Sequence, residues 1–308
     1  MPVFRTLVVG ACALAVAGCA SAKKSPTKAT TATTATTVIP SSTALPLGDG
    51  KYSTSAMKGS VYSCITQFNG GGAFRDGPWI DSAAKTWDAT RKISVAGAVH
   101  QRSTFSGQAT STAERLIGNG LPSTPTGVFP VAADDPAYQY DRNPNTISGY
   151  SLDVTFPRNP TIAASPTCVG GTIGVSVLGA PIYSAFDALG RDAAAHEVQD
   201  ACDGHPERTG QYHFHSRSSC FTGSVAGFDP GLFGYALDGF GIYVEKDAEG
   251  QTPTSAELDE CHGRTSAVTW HGTPVSIYHY VATDDFPYLV ACYRGTPITS
   301  ATGLNIGR

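Results

Sequence analysis

The strongest constraint on this chain is its density of turn formers: 34 glycines and 20 prolines in 308 residues, about one position in six. Both residues disfavour helix interiors, so helical bundles and coiled coils are excluded, yet the proportion stays below that of a disordered chain. The segments between the turns read as strands. Residues 150–156 (YSLDVTF) alternate with period two, 172–178 (TIGVSVL) form a β-branched run, and 92–100 and 275–281 look similar. Turn signals at Asn119-Gly120, Asp134-Asp135-Pro136, Arg158-Asn159-Pro160 and Thr252-Pro253 separate them. Helical stretches are few and short, around 109–116 and 192–198. The expectation is a mainly β fold, a single β-rich domain over residues 51–308, sandwich-like or barrel-like, with few short helices.

The first fifty residues read as an address and a tether. Arg5 precedes an apolar run from Leu7 to Val16, too short to span a bilayer and suited to a secretory signal. Val16-Ala17-Gly18-Cys19 resembles the lipobox of bacterial lipoproteins. Residues 1–18 are therefore expected to be a lipoprotein signal peptide and Cys19 the acylated anchor, which places the chain on the extracytoplasmic face of the cell membrane. Residues 19–50 are Thr-rich and lack an aromatic residue, so they are expected to form a disordered linker.

Export fits the cysteines. Setting aside Cys12 and Cys19 leaves six, an even number in an exported domain, which suggests three disulfides. Cys202 with Cys220 and Cys261 with Cys292 each bracket a His/Tyr segment, leaving Cys64 with Cys168. No CxxC occurs, against a thioredoxin-like or thiolate zinc site. The formal charge of −4 hides a more acidic body: residues 1–50 hold four of the 21 basic groups and one of the 25 acidic groups, leaving about −7 beyond them. No basic cluster is present, so nucleic acid is not an expected partner.

Six of the eight histidines fall between residues 205 and 279. In Gln211-Tyr212-His213-Phe214-His215, a strand would project His213 and His215 from one face and Tyr212 and Phe214 from the other. Two imidazoles on one face suit Zn or Cu, with a third His or a carboxylate completing the site. The alternative is a pair of strand histidines bonded to backbone and water. His205 and Asp203 precede the strand closely, and a second cluster repeats the theme with Asp259, Cys261, His262 and then Tyr278-His279-Tyr280. If the two strands face each other, His213, His215 and His279 converge. Asp238, Asp259, Tyr212 and Tyr278 are candidates for supporting or turn-forming roles, and Asp203 for a further ligand.

The stretches DACDGHPERTGQYHFHSRSSC, ALDGFGIYVE, LDECHG and YHYVATDDFPYLVACYRG together resemble the YHYH-domain family, as do the earlier PWID, TWDATRKISVAGAVH and NPNTISGY. The likeness spans roughly residues 60–295. The sequence departs from it at Phe214, inside the namesake motif, and at Val281, where the second copy lacks its last His. The resemblance implies architecture and the location of the site more than a mechanism.

No GxSxG, HExxH or P-loop is present. Three functions stay open: a metal-binding lipoprotein domain, a metal-assisted hydrolase or redox enzyme using the same pocket, and a non-catalytic adhesion or ligand-binding module. The protein or small-molecule partner is not specified by the sequence.

Overall fold

The computed structural model describes residues 43–306; the expected signal peptide, Cys19 and the linker up to residue 42 lie outside the described residues. The folded body begins earlier than residue 51. Leu45 and Leu47 are buried, Leu45 pairs with Trp87, and Gly48 donates its backbone N–H to Asp192 Oδ2. The apolar pair of leucines, rather than the Thr-rich composition before it, joins this stretch to the folded body.

The fold is mainly β. Two small sheets come first, built from β1 (Leu45–Pro46), β2 (Tyr52–Ser53), β3 (Val61–Tyr62), β4 (Ile80–Asp81) and β5 (Thr86–Trp87). An antiparallel meander follows, of β6 (Phe105–Ala109), β7 (Ala113–Gly118) and β8 (Leu152–Pro157). Helical patterning around 109–116 thus gives way to a hairpin. Burial explains it, because Glu114 and Leu116 alternate inward along β7 with period two. Residues 92–100 contribute only isolated bridges at Val95 and Val99.

The remaining strands are β9 (Thr172–Ser176), β10 (Pro181–Tyr183), β11 (Gly204–Pro206), β12 (Tyr212–Phe214), β13 (Leu232–Ala236), β14 (Gly241–Tyr243), β15 (Gly263–Trp270) and β16 (Thr273–Val281). They form one mixed sheet in the order β11-β12-β10-β9-β13-β14-β16-β15. The sheet is open, with β11 and β15 at its two ends, so it does not close as a barrel. One four-residue helix, α1 (Ala193–His196), is capped by Asp192, whose side chain accepts from Ala195 N.

That strand order is a duplication. β9 and β13 pair antiparallel at the centre, and outward from them each half repeats a hairpin, a parallel pairing and a second hairpin. Ile182 faces Phe214 as Ile242 faces Tyr280, and His205 faces His213 as Arg264 faces His279. Gly171, Gly174, Gly179, Ile182, Tyr183, Asp187 and Gly190 recur 60 positions later as Gly231, Gly234, Gly239, Ile242, Tyr243, Asp247 and Gly250. The repeat in the sequence is therefore longer than its Cys/His elements alone suggest.

Each outer hairpin is pinned in the same way. Asp200 Oδ1 accepts from Cys202 N at 2.9 Å, Gly204 N at 3.3 Å and the Tyr212 hydroxyl at 3.0 Å. Asp259 Oδ1 accepts from Cys261 N at 3.0 Å, Gly263 N at 2.9 Å and the Tyr278 hydroxyl at 3.2 Å. Asp203 and His262 occupy the matching left-handed turn positions, at φ 65° and 72°. Disulfides Cys202–Cys220, Cys261–Cys292 and Cys64–Cys168 tie the two hairpins and the N-terminal region to the body.

The phenol end of the tyrosine packs closely against a glycine in both halves. A Cβ at Gly204 would stand 2.2 Å from Tyr212 Cζ, and one at Gly263 would stand 2.3 Å from the Tyr278 oxygen. Gly204→Ala should therefore destabilise the domain by about 1–3 kcal/mol or more through overpacking. Urea unfolding reads this as a lower midpoint at unchanged slope, and an unshifted midpoint would contradict the tyrosine-on-glycine packing.

Candidate metal centre

The antiparallel pairing of β11 with β12 sets His205 directly across from His213. Opposed residues in such a pair put their side chains on the same face. His215, two positions on, shares that face, while Tyr212 and Phe214 point into the core on the other. The three imidazoles are buried and present nitrogens within 4.8 Å of one another. His213 Nε2 and His215 Nε2 are 3.0 Å apart.

A fourth donor comes from outside the hairpin. Glu197 follows the last turn of α1 in extended conformation, at φ −78° and ψ 142°. Its Oε2 lies 3.3 Å from both His205 Nε2 and His215 Nε2, yet none of these contacts has hydrogen-bond geometry for Oε2, which is left without a partner, as is His205 Nε2. With metal–nitrogen bonds of about 2.0–2.1 Å, neighbouring ligands on one ion stand roughly 2.9–3.4 Å apart. The His213–His215 spacing and those from Glu197 to His205 and His215 fall in that interval.

The outer ring nitrogens fix the tautomers. His213 Nδ1 faces the Gln211 carbonyl at 3.1 Å and His215 Nδ1 faces the Ser184 carbonyl at 2.6 Å. A nitrogen facing a carbonyl must carry the proton, so in each neutral ring Nε2 is bare. His205 Nδ1 is 3.5 Å from Asn143 Nδ2, too long to fix its tautomer. The Tyr183 ring stacks on His213 with centroids 4.0 Å apart and holds it in place.

Burial keeps these rings neutral. It lowers His213 to about 4 and His215 to about 3, with the neighbouring His213 adding to the latter. His205 is held well below its ordinary value by burial and by His213 and His215. Burial, then Asp187 and Asp141, pushes the Glu197 carboxyl well above the usual range. The three imidazoles are thus neutral, buried and close enough to share one ion.

The remaining sequence candidates stand elsewhere. His279 does not join the cluster, because β12 and β16 lie in opposite halves of the sheet. Its Nδ1 faces the Ile277 carbonyl at 2.9 Å and its Nε2 faces Glu245 Oε1 at 2.6 Å, so both nitrogens are committed to oxygen acceptors. Asp203 turns away from the imidazoles, since its left-handed turn aims the carboxylate at Ser219 N, 2.7 Å away. Asp238 takes the turn-forming role, accepting from Phe240 N, Gly295 N and the Tyr280 hydroxyl. Asp259, Tyr212 and Tyr278 serve the hairpin turns on the far face.

The sequence reading missed Glu197 and Asp200. Both lie in the stretch before Cys202, but neither has a metal-ligand spacing to the HxH pair, and only the packing of α1 brings Glu197 in. The 60-residue repeat was the available signal, because it marks residues 187–198 as part of the same unit as the hairpin.

The lowered imidazoles dictate a pH response. In the unfolded chain these groups bind protons near pH 6.5, while the native rings resist protonation to about 4 and below. The stability they confer is present above about pH 6.5 and lost as pH falls towards the native values. Metal-free protein should melt at steadily lower temperature from pH 6.5 to 4, and His215→Gln should flatten that slope. Equal slopes in parent and variant would contradict the assignment.

A sequence model of the family described as YHYH protein matches residues 153–256 and 245–295. No curated protein and no solved structure matches the chain. The matched residues hold the whole duplicated sheet, with the imidazole cluster in one half and His279 in the other, and the chain is a YHYH-domain protein.

Proposed function

We propose that the YHYH domain binds one divalent transition-metal ion, Zn or Cu, through His205, His213 and His215, with Glu197 completing the donor set. One observation carries this reading: two bare Nε2 atoms face each other at 3.0 Å in a buried site. Facing lone pairs repel, and each unmet buried polar group costs about 1–3 kcal/mol. A cation between them relieves that repulsion and uses the orphaned atoms of His205 and Glu197 as well. Imidazole-rich donors suit Zn and Cu.

Elemental analysis of purified, tag-free protein tests the reading. The expected result is about one equivalent of metal per chain, falling to near zero in His213→Ala/His215→Ala. Glu197→Gln should weaken retention by roughly 10–100-fold against a competing chelator. Equal metal content in all three proteins would falsify the assignment.

A catalytic role for the same site is a second reading, favoured by its openness. The imidazoles and Glu197 line a cavity of about 640 Å³, a size typical of small-molecule sites. A bound ion lowers the pKa of a coordinated water towards neutrality. Turnover of ester, phosphoester or superoxide substrates by the metal-loaded chain supports an enzyme, and a flat response across all three supports a carrier.

We further propose that the domain works outside the cytoplasm, tethered by acylated Cys19. Three disulfides support an oxidising compartment. Cys19→Ser should abolish palmitate labelling and release the chain from the membrane fraction.

A further inference from the structure

Most carboxylate oxygens of Asp187 and Asp141, and one of Glu207, in the wall of the cavity in front of the imidazoles accept hydrogen bonds from the chain itself, while some donors there are free. Asp187 accepts from Leu189 N at 2.9 Å and Arg191 N at 2.8 Å, and its other oxygen pairs with the Arg191 guanidinium at 2.8 Å. Asp141 accepts from Asn143 N and Val198 N, each at 3.0 Å. Glu207 accepts from Thr209 N at 2.9 Å, Gln211 N at 3.3 Å and the Thr209 hydroxyl.

Some donors in the same wall are not committed. Arg208 is exposed at the cavity rim and forms neither an ion pair nor a hydrogen bond with any described residue. The backbone amides of Gly71 and Gly72, which also line the cavity, have no partner among the described residues. A ligand entering here meets a guanidinium and free amides, while Glu207 Oε2 and Asn145 Oδ1 remain as open acceptors beside the Glu197 carboxyl. A divalent ion at the imidazoles, together with Arg208, offsets the carboxyl groups of Glu197, Asp141 and Glu207 that also line the cavity, while Asp187 is paired with Arg191.

We infer that the cavity takes a small molecule bearing an oxyanion, a carboxylate or phosphate group, held between the metal centre and Arg208. This rests on the metal reading proposed above. The guanidinium presents paired N–H groups whose geometry matches either oxyanion. Asn145 Nδ2 donates to the Pro206 carbonyl at 3.3 Å, and its second hydrogen has no partner among the described residues.

The test uses the full chain loaded with cobalt(II), whose visible spectrum reports changes in its coordination. Inorganic phosphate, acetate and, as an ionic-strength control, chloride are titrated separately. The expected result is a saturable spectral change with phosphate, acetate or both but not with chloride, and the responding anion identifies the group. Arg208→Gln, a surface substitution, should weaken that response by about tenfold, the loss of one charge-assisted contact. A cobalt spectrum indifferent to phosphate and acetate, a chloride response of equal size, or an undiminished affinity in Arg208→Gln overturns the inference. A chain with no cobalt band at all removes the metal reading itself, an outcome distinct from a band that ignores the anions.

Discussion

The placement of His205 depends on one buried carboxylate. Asp200 gathers five contacts from Cys202, Gly204, Gly127 and Tyr212, and these lock the turn that carries the imidazole. Burial pushes this carboxyl upward while the hydrogen bonds pull it back. A buried acid is costly unless its lone pairs are met. Here they are met by the donors that define the turn, so hairpin register and carboxylate satisfaction are the same event. A slip of one residue would turn every imidazole to the opposite face.

The two halves show what the same scaffold does with different side chains. In the second half Arg264 stands at the His205 position and Val281 at the His215 position. Glu245 bonds both His279 and Arg264, so that cluster pairs its carboxylate with a guanidinium. The first half has neutral imidazoles and an orphaned carboxyl oxygen instead. The backbone is shared, the Asp-Tyr-Gly turn is shared, and the chemistry differs by which residue fills the cross-strand position.

Much of this was legible in the sequence. Period-two alternation located β8, a β-branched run located β9, a similar pattern marked the end of β16, and the HxH spacing placed His213 and His215 on one face. The disulfides found in the fold are those expected: two from Cys residues that bracket the His/Tyr segments, and Cys64–Cys168 as the remaining pair. What was not legible follows from long-range pairing. Residues 109–116 form a hairpin because tertiary burial overrode a helix-like composition. His279 looked like a third ligand because nothing local reveals that β9 and β13 separate the two hairpins. Glu197 was invisible for the converse reason, since a helix end reached it into a site whose other members lie on strands.

The local two-fold also makes the molecule its own reference. Tyr212 and Tyr278, Gly204 and Gly263, and His213 and His279 occupy equivalent backbone settings within one polypeptide, at the same temperature, solvent and redox state. Paired substitutions across the dyad separate what the scaffold demands of a residue from what the imidazole cluster demands, an internal control that most proteins do not provide.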